Sequence, residues 1–187
     1  VKATDDTAGW YVYHRALGST GLLRLNVTNG STSTYSQWNQ TDPTASVFSL
    51  AGAGYNVNEN GVNYVAYVFA HDDQSFGTNS DEAIIKCGSY TGNGSNDGPE
   101  INLGFEPQWL MYKKASQANG NWEIIDTMRG MPNPGDTSSN YMKLLRPNTS
   151  DAEGTDFSTY PTPTGFKITN NGGSNNGSGA VSYTHLT

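Results

Sequence analysis

An internal repeat constrains this chain more than any other feature of its sequence. Residues 1–18, VKATDDTAGWYVYHRALG, align without a gap on residues 113–130, KKASQANGNWEIIDTMRG, at a constant offset of 112, which places Trp10 on Trp122. Repeated segments of one chain are the signature of stacked copies of one structural unit. We therefore expect tandem modules of roughly 110 to 120 residues.

Two further blocks extend the repeat. After an insertion in the second copy at residues 131–140, the seven residues 23–29 align within residues 144–151, and Asn26 meets Asn148. Three more pairs share an offset of 118: Phe48 with Phe166, Asn58 with Asn176, and Gly61 with Gly179. The blocks follow one another in the same order in both copies, which favours duplication over chance similarity.

The local patterns within the repeat are those of strands and turns. Residues 108–114 and 121–127 alternate between apolar and polar side chains on either side of a polar turn, which is typical of a β-hairpin. No segment of ten or more residues shows the 3.6-residue period of an amphipathic helix. The sequence predicts an all-β protein: antiparallel β-sandwich or jelly-roll-like modules in tandem, one partial and one nearly complete.

The repeat also sets the expected domain organisation. We interpret residues 1–70 as the C-terminal part of a first β module, residues 71–83 as a polar linker, and residues 84–180 as a second module that lacks its last strand. Residues 181–187, VSYTHLT, match the translation of a transposon-library sequencing adapter, with an ordinary β-strand as the alternative. We interpret them as read-through and exclude them from functional reasoning.

Composition and charge exclude several functions. The net charge is −7 and charged residues make up only 14% of the chain, whereas a nucleic-acid-binding surface needs clustered Lys and Arg. No run approaches the ~18 consecutive apolar residues of a membrane span. Cys87 is the single cysteine, so no internal disulfide and no thiolate metal cluster can form, and its alternating context favours a small buried hydrophobe.

Acidic residues at the predicted linker form a weak candidate for a cation site. His71, Asp72, Asp73, Asp81 and Glu82 could offer oxygen ligands to Ca²⁺, but they lack the alternating Asp-x-Asp-x-Asp spacing of a dedicated loop. Charges in such a join are usually solvated. We expect no metal and no cofactor.

Two carboxylates form a second candidate, for glycoside cleavage. Asp126 and Glu153 could act as an acid and base pair. Their counterparts in the first copy are His14 and Ser31, which cannot perform two-carboxylate catalysis. Asp126 is better interpreted as the ion-pair partner of Arg129 or as a turn cap, and we expect no enzymatic activity.

Aromatic side chains on a polar β scaffold form the third candidate, because exposed rings stack on sugars. Trp10 and Trp122 recur in the repeat and are assigned to the core face of their strands. The candidate ligand-binding residues are therefore the other aromatics of this kind: Trp38, Tyr11, Tyr13, Tyr35 and Tyr90. The alternative is ordinary packing of these rings on neighbouring strands.

A pair of N-glycosylation patterns begins at the repeat-matched Asn26 and Asn148. Such patterns arise freely in a chain rich in Asn, Ser and Thr. We interpret both side chains as a repeated cap of a turn or strand end.

A resemblance to a protein family rests on four segments in their order along the chain and on the closing strand of the preceding copy. The segments are GFEPQWLMYKK, NWEIIDTMRG, LLRPNTSDAE and TGFKITN, and the closing strand is YVAYVFA. The chain resembles a family of uncharacterised repeated β domains of tailed-bacteriophage virion proteins. The resemblance implies an extracellular location in the virion and other virion proteins as partners. It implies no catalytic residue.

From the residues and the resemblance together, we expect a non-enzymatic structural or adhesion module of a phage tail or fibre-type protein. Its partners would be other virion proteins, a host-surface glycan and further copies of itself in a homo-oligomer, with neither nucleic acid nor membrane. The alternatives are a carbohydrate-binding module and a polysaccharide depolymerase or glycosidase.

Overall fold

The structure, a computed structural model, describes residues 1–33, 35–73, 75–79, 82–133, 142–156, 159–172, 175–177 and 179–186. These residues form strands and turns without a helix, so the prediction of an all-β fold is confirmed. Accordingly, no helix within the described ranges is long and apolar enough to cross a membrane.

We call residues 1–70 the first unit and residues 84–186 the second unit. The first unit contains four short strands: β1 (Lys2–Ala3), β2 (Tyr11–Val12), β3 (Leu23–Arg24) and β4 (Tyr64–Val65). The second contains β5 (Ile85–Gly92), β6 (Glu100–Asn102), β7 (Trp109–Lys114), β8 (Trp122–Asp126), β9 (Met142–Leu145), β10 (Gly154–Asp156), β11 (Thr159–Thr162), β12 (Gly165–Ile168) and β13 (Gly179–Leu186). The predicted hairpin is present as β7 and β8.

The second unit is a two-layer antiparallel sandwich. A six-stranded sheet in the order β10-β9-β8-β7-β13-β5 lies against a three-stranded sheet in the order β11-β12-β6. The apolar side chains that alternate along these strands meet in one core, because successive side chains of a strand point to opposite faces. The core is made of Ile101, Leu103, Leu110, Tyr112, Ile125, Met142, Leu144, Phe166, Ile168, Val181 and Tyr183.

Strand β13 corrects one prediction from the sequence. It pairs with both β5 and β7, and Val181 and Tyr183 are buried in the core, so the expectation that the second unit lacks its last strand is wrong. The neighbouring strands β5 and β7 each present an edge of backbone N–H and C=O groups to this position, and β13 pairs with both edges. The adapter interpretation of residues 181–187 concerns their origin and stays a prediction.

The strand register agrees with the alignment of the two copies. Val12 lies opposite Leu23 between β2 and β3, and their counterparts Ile124 and Leu145 lie opposite each other between β8 and β9. Register is set by side-chain pattern and turn geometry, so equal registers indicate equal local folds. The register supports the predicted repeat, and the division into tandem modules stays a prediction.

The face assigned to the repeated tryptophans is wrong. On β8 the side chain of Ile125 faces the core of the second unit, while Trp122 packs on the opposite face of the sheet against Leu23 of the first unit. The Trp122 indole donates its Nε1–H to the carbonyl of Arg24 at 2.8 Å. Trp10 is half-buried and stacks on Tyr67, with 5.9 Å between ring centroids.

The two units therefore contact each other directly through the back of the six-stranded sheet. Leu23, Ala115 and Trp122 form the buried centre of this junction. The backbone N–H of Ser31 donates to the carbonyl of Ala115 at 2.7 Å and adds a hydrogen bond across it.

The predicted linker begins as part of the fold. The N–H of Asp72 donates to the carbonyl of Ile85, and the N–H of Cys87 donates to Nδ1 of His71. These bonds fasten the start of residues 71–83 to the outer edge of β5, and Asp72 also pairs with Lys86 at 2.7 Å.

Candidate ligand-binding cleft

A polar cleft of about 250 Å³ opens in the first unit beside the junction. It is lined by Leu22, Arg24, Asn29, Gly30, Thr32 and Tyr35. Asn29 and Thr32 are exposed, and Tyr35 and Arg24 are half-buried, so the walls offer an amide, a hydroxyl, a phenol ring and a guanidinium group to solvent. Such a mixture suits a polar, hydroxyl-rich ligand that is planar or has an apolar face.

The β2–β3 pair positions the guanidinium of the cleft. Arg24 lies opposite Tyr11 in the register, and its guanidinium carbon sits 5.5 Å from the centroid of the Tyr11 ring. A cation held over an aromatic face keeps its N–H groups available to a ligand. Among the described residues, the Arg24 side chain has no carboxylate partner within ion-pair distance.

The junction with the second unit fixes the opposite side of the cleft. Gly30 approaches the β7–β8 turn so closely that a Cβ atom placed on it would lie 2.7 Å from the carbonyl oxygen of Gln117. Only glycine permits this approach without a shift of backbone. The neighbouring Ser31 donates a backbone hydrogen bond to Ala115. This bond anchors residues 28–32, which we call the strap and which carry Asn29 and Thr32, to the second unit.

A buried lysine ties the same strap to the second unit. The Lys113 side chain is completely buried, and its ammonium group donates to the carbonyls of Thr28, at 2.9 Å, and Gly120. Burial lowers the Lys113 pKa to about 8, because the charged form loses hydration. The ammonium thus cross-links the two units directly behind the cleft.

The prediction that Trp38 and Tyr11 are exposed is wrong. Both are buried in the core of the first unit with Leu22 and Val57. Trp38 donates its Nε1–H to the carbonyl of Gly21 at 3.0 Å, and the hydroxyl of Tyr11 accepts from the Asn56 amide. The packing alternative holds for these two rings, since a large aromatic surface gains more from burial than from exposure on a polar strand.

The other three predicted aromatics are half-buried. Tyr13 packs edge-on against Trp38, with 5.8 Å between centroids, and Tyr90 packs against the second core and donates its hydroxyl to the carbonyl of Asn175. Tyr35 is the predicted residue that lines the cleft. The five rings therefore do not form the exposed strip that stacking on a sugar chain would need.

The two predicted carboxylates have different surroundings. Asp126 is buried, pairs with Arg129 and accepts a hydrogen bond from the Arg129 backbone N–H at 2.8 Å, so its predicted role as ion-pair partner and turn cap is confirmed. Glu153 is exposed beyond the start of β10, which pairs with β9 and not with β8. Asp126 and Glu153 therefore do not lie on neighbouring strands.

The predicted linker, residues 71–83, offers no assembled cation site in the part of the chain that the structure describes, where no group of three or more His, Cys, Asp or Glu side chains converges. Asp72 is engaged by Lys86, which lowers the Asp72 pKa through a hydrogen bond to the carboxylate. Asp81, which was part of this candidate, lies outside the described residues.

Sequence reasoning missed Arg24, Asn29 and Thr32 as cleft residues. One signal was available: after the repeated Asn26, the cleft residues Asn29 and Thr32 meet Asp151 and Gly154 in the second copy. Leu22 and Arg24 meet Leu144 and Arg146, so the copies share one side of the cleft and differ on the other.

The fold and the cleft define an all-β protein whose two units contact each other, with a polar cleft beside their junction. The chain matches the family described as Domain of unknown function (DUF7483) over residues 1–187, and it belongs to that family. The comparisons found no match to the chain among curated proteins or among solved structures.

Proposed function

We propose that this chain is a non-enzymatic structural or adhesion module of a phage tail or fibre-type virion protein, and that the cleft contacts a glycan of the host surface. In this proposal the module works outside the cell, in the virion, beside other virion proteins and further copies of itself. Its task is to hold the cleft in a fixed orientation on a rigid scaffold.

The cleft at the junction carries the proposal. Its lining combines the Tyr35 ring, the Arg24 guanidinium and the Asn29 amide, which are groups that stack on sugar rings and bond to their hydroxyls. The overall charge of −7 supports a neutral or cationic ligand surface over a polyanion such as nucleic acid.

The scaffold supports the mechanical part of the proposal. The units share a buried apolar junction, a backbone hydrogen bond from Ser31 to Ala115 and the buried Lys113 ammonium, so they cannot rotate freely about residues 71–83. Rigid β units joined in this way keep a fixed orientation along an appendage. Binding then needs no free energy to order each unit.

Titration of the ¹⁵N-labelled chain with oligosaccharides from bacterial surface polysaccharides tests the cleft. We expect amide shifts confined to residues 22–35, and a loss of affinity of at least tenfold in Tyr35→Ala and Asn29→Ala. Tyr55→Ala is the matched control, since Tyr55 is an exposed tyrosine of the same unit outside the cleft. Shifts that map elsewhere, or equal losses in the control, would contradict the assignment.

Incubation of the chain with the same polysaccharides separates adhesion from depolymerisation. Chain length of the polymer should remain constant in the proposed case. Release of oligosaccharides that is abolished by Asp126→Asn would instead support the glycosidase alternative.

A further inference from the structure

The first unit exposes apolar side chains whose counterparts in the second unit are buried. Phe48 is 41% exposed, but its counterpart Phe166 is 1% exposed in the second core. Because Lys2 pairs with Val65 and Lys114 pairs with Val181, the closing strands align at an offset of 116, which makes Tyr67 the counterpart of Tyr183. Tyr67 is 70% exposed and Tyr183 is 7% exposed.

The second unit shows what covers these positions. Strand β13 pairs with β7 on one side and with β5 on the other, whereas β4 of the first unit pairs in its sheet with β1 alone, as far as the described residues show. The ring of Tyr90 on β5 packs against the rings of Phe166 and Tyr183, at centroid distances of 6.1 and 6.2 Å. Ile101 and Leu103, at β6, close the same core.

The first unit lacks strands in the places of β5 and β6 among the described residues, which also explains why it has few strands. β12 forms between β6 and β11, but its counterpart at residues 47–50 is not a strand and pairs with no strand in the described part of the chain. Val68 and Phe69, which follow Tyr67, are 71% and 45% exposed. An exposed row of apolar side chains beside an unpaired strand edge is an acceptor for another strand.

We infer that the open edge of the first unit, formed by β4 and residues 66–70, receives the β5–β7 segment of a further unit of the same repeat, which would also cover Phe48. The occupant is defined by chemistry: an extended strand that pairs with Val65 to Phe69, carries an aromatic side chain at the place of Tyr90, and is followed by apolar residues at the places of Ile101 and Leu103. This inference is independent of the glycan cleft and does not rest on the proposed function.

One position makes the recognition selective. Tyr183 lies opposite Gly88 in the pairing of β13 with β5, and a Cβ atom on Gly88 would lie 2.5 Å from the Tyr183 hydroxyl oxygen. Tyr67 stacks on Trp10 in the first unit, and it would need a glycine opposite it in the incoming strand once it left that stack for the place of Tyr183. A strand with a larger residue at this place would be excluded.

The test adds the segment in register. Val1 is the counterpart of Lys113, so residues 84–112 are fused directly ahead of Val1 of the full chain, and a Gly88→Val version of the added segment is the matched control. Amide hydrogen exchange of residues 65–69 is measured in the original chain and in both fusions. We expect at least tenfold slower exchange and loss of hydrophobic-dye binding in the first fusion, with neither change in the control.

Two other results would overturn the inference. Unchanged exchange at residues 65–69 in a fusion whose second unit keeps its own exchange pattern would show that the open edge does not accept the segment. A dimer of the original chain that already protects residues 65–69, and that Tyr67→Ser dissociates, would show that the occupant is a second copy of the same edge. A synthetic peptide of residues 84–112 that gives the same protection when added separately would support the inference.

Discussion

Asn148 accepts a hydrogen bond through Oδ1 from the backbone N–H of Trp122 at 2.8 Å, directly at the start of β8. Asn26 accepts the same bond from Trp10 at 3.0 Å, at the matching place in the first unit. The side-chain amide thus fixes the strand end in each copy, as predicted for this repeated asparagine. Both copies retain it because the N–H has no strand partner there.

The two caps should differ in their contribution to stability. Asn148 is half-buried and also donates to Asn121, whereas Asn26 is exposed, so water can replace the lost acceptor only at Asn26. We expect Asn148→Ala to lower the free energy of unfolding by about 1–2 kcal/mol and Asn26→Ala by less. Urea denaturation measures both, with the exposed Asn171→Ala as the control.

Equal losses in the two alanine variants would contradict this burial argument. Asn148→Asp retains the acceptor oxygen but loses the donor to Asn121. It should therefore fall between the original chain and Asn148→Ala.

The repeat was readable from the sequence because it rests on side chains that perform the same local task in both copies. Gly18 and Gly130 have φ values of 69° and 115°, so both occupy backbone that glycine alone adopts easily. Asp126 and His14 differ in chemistry, yet each accepts a hydrogen bond from a backbone N–H of the following turn. Local geometry of this kind leaves a signature within a few residues.

Gly30 offers a test of the junction. A methyl group at this position would meet the carbonyls of Gln117 and Ala115 at 2.7 and 2.9 Å, so Gly30→Ala should separate the strap from the β7–β8 turn. We expect a loss of more than about 1 kcal/mol in stability, with faster exchange of the Ser31 amide. Gly52→Ala is the matched control, because a Cβ atom there meets nothing within 4 Å, and it should stay within about 0.5 kcal/mol.

The junction itself was not readable from the sequence. The alternation of side chains on β8 correctly predicted two different faces, but both faces carry apolar side chains. The local sequence pattern does not distinguish a face that packs in the unit's own core from one that packs against the neighbouring unit. Trp122 was therefore assigned to the core of the second unit, although it packs against Leu23 of the first. The burial of Trp38 and Tyr11 was missed for the same reason, since it depends on contacts distant in sequence, such as Val57.

Lys113 should make stability increase with pH in the alkaline range. Its pKa is about 8 in the folded chain against 10.5 for the unfolded chain, so between these values the unfolded state binds more protons. The free energy of unfolding should therefore rise from pH 8 upward, by at most about 1.4 kcal/mol per pH unit from this group. Urea denaturation between pH 8 and 9.5 measures the slope, which should be smaller in Lys113→Met.

A slope that is the same in both proteins would show that the Lys113 ammonium is hydrated in the folded chain. The half-buried Lys2 provides a control variant, Lys2→Met, at a lysine outside the junction. It should keep the slope of the original chain.

His14 should make the packing of the units sensitive to acid. The ring is buried, its Nε2–H donates to the carbonyl of Tyr183 at 3.0 Å, and its Nδ1 accepts from the N–H of Ala16. Burial lowers the His14 pKa below 6.5, and the nearby positive charge of Arg15 and the His71 ring act in the same direction. Protonation of Nδ1 would remove an acceptor and place a charge in the contact between units.

The unfolded chain binds this proton more readily, so the stabilisation is present above pH 6.5 and is lost as the pH falls below that value. We expect His14→Gln, which stays neutral, to lose less stability than the original chain between pH 6.5 and 5. His71 titrates with a lowered pKa of its own, so ¹H–¹³C spectra of the imidazole groups must assign the titration to each ring. A His14 ring that titrates at or above pH 6.5 would show that the contact with Tyr183 favours the protonated form, and would reverse the predicted pH dependence.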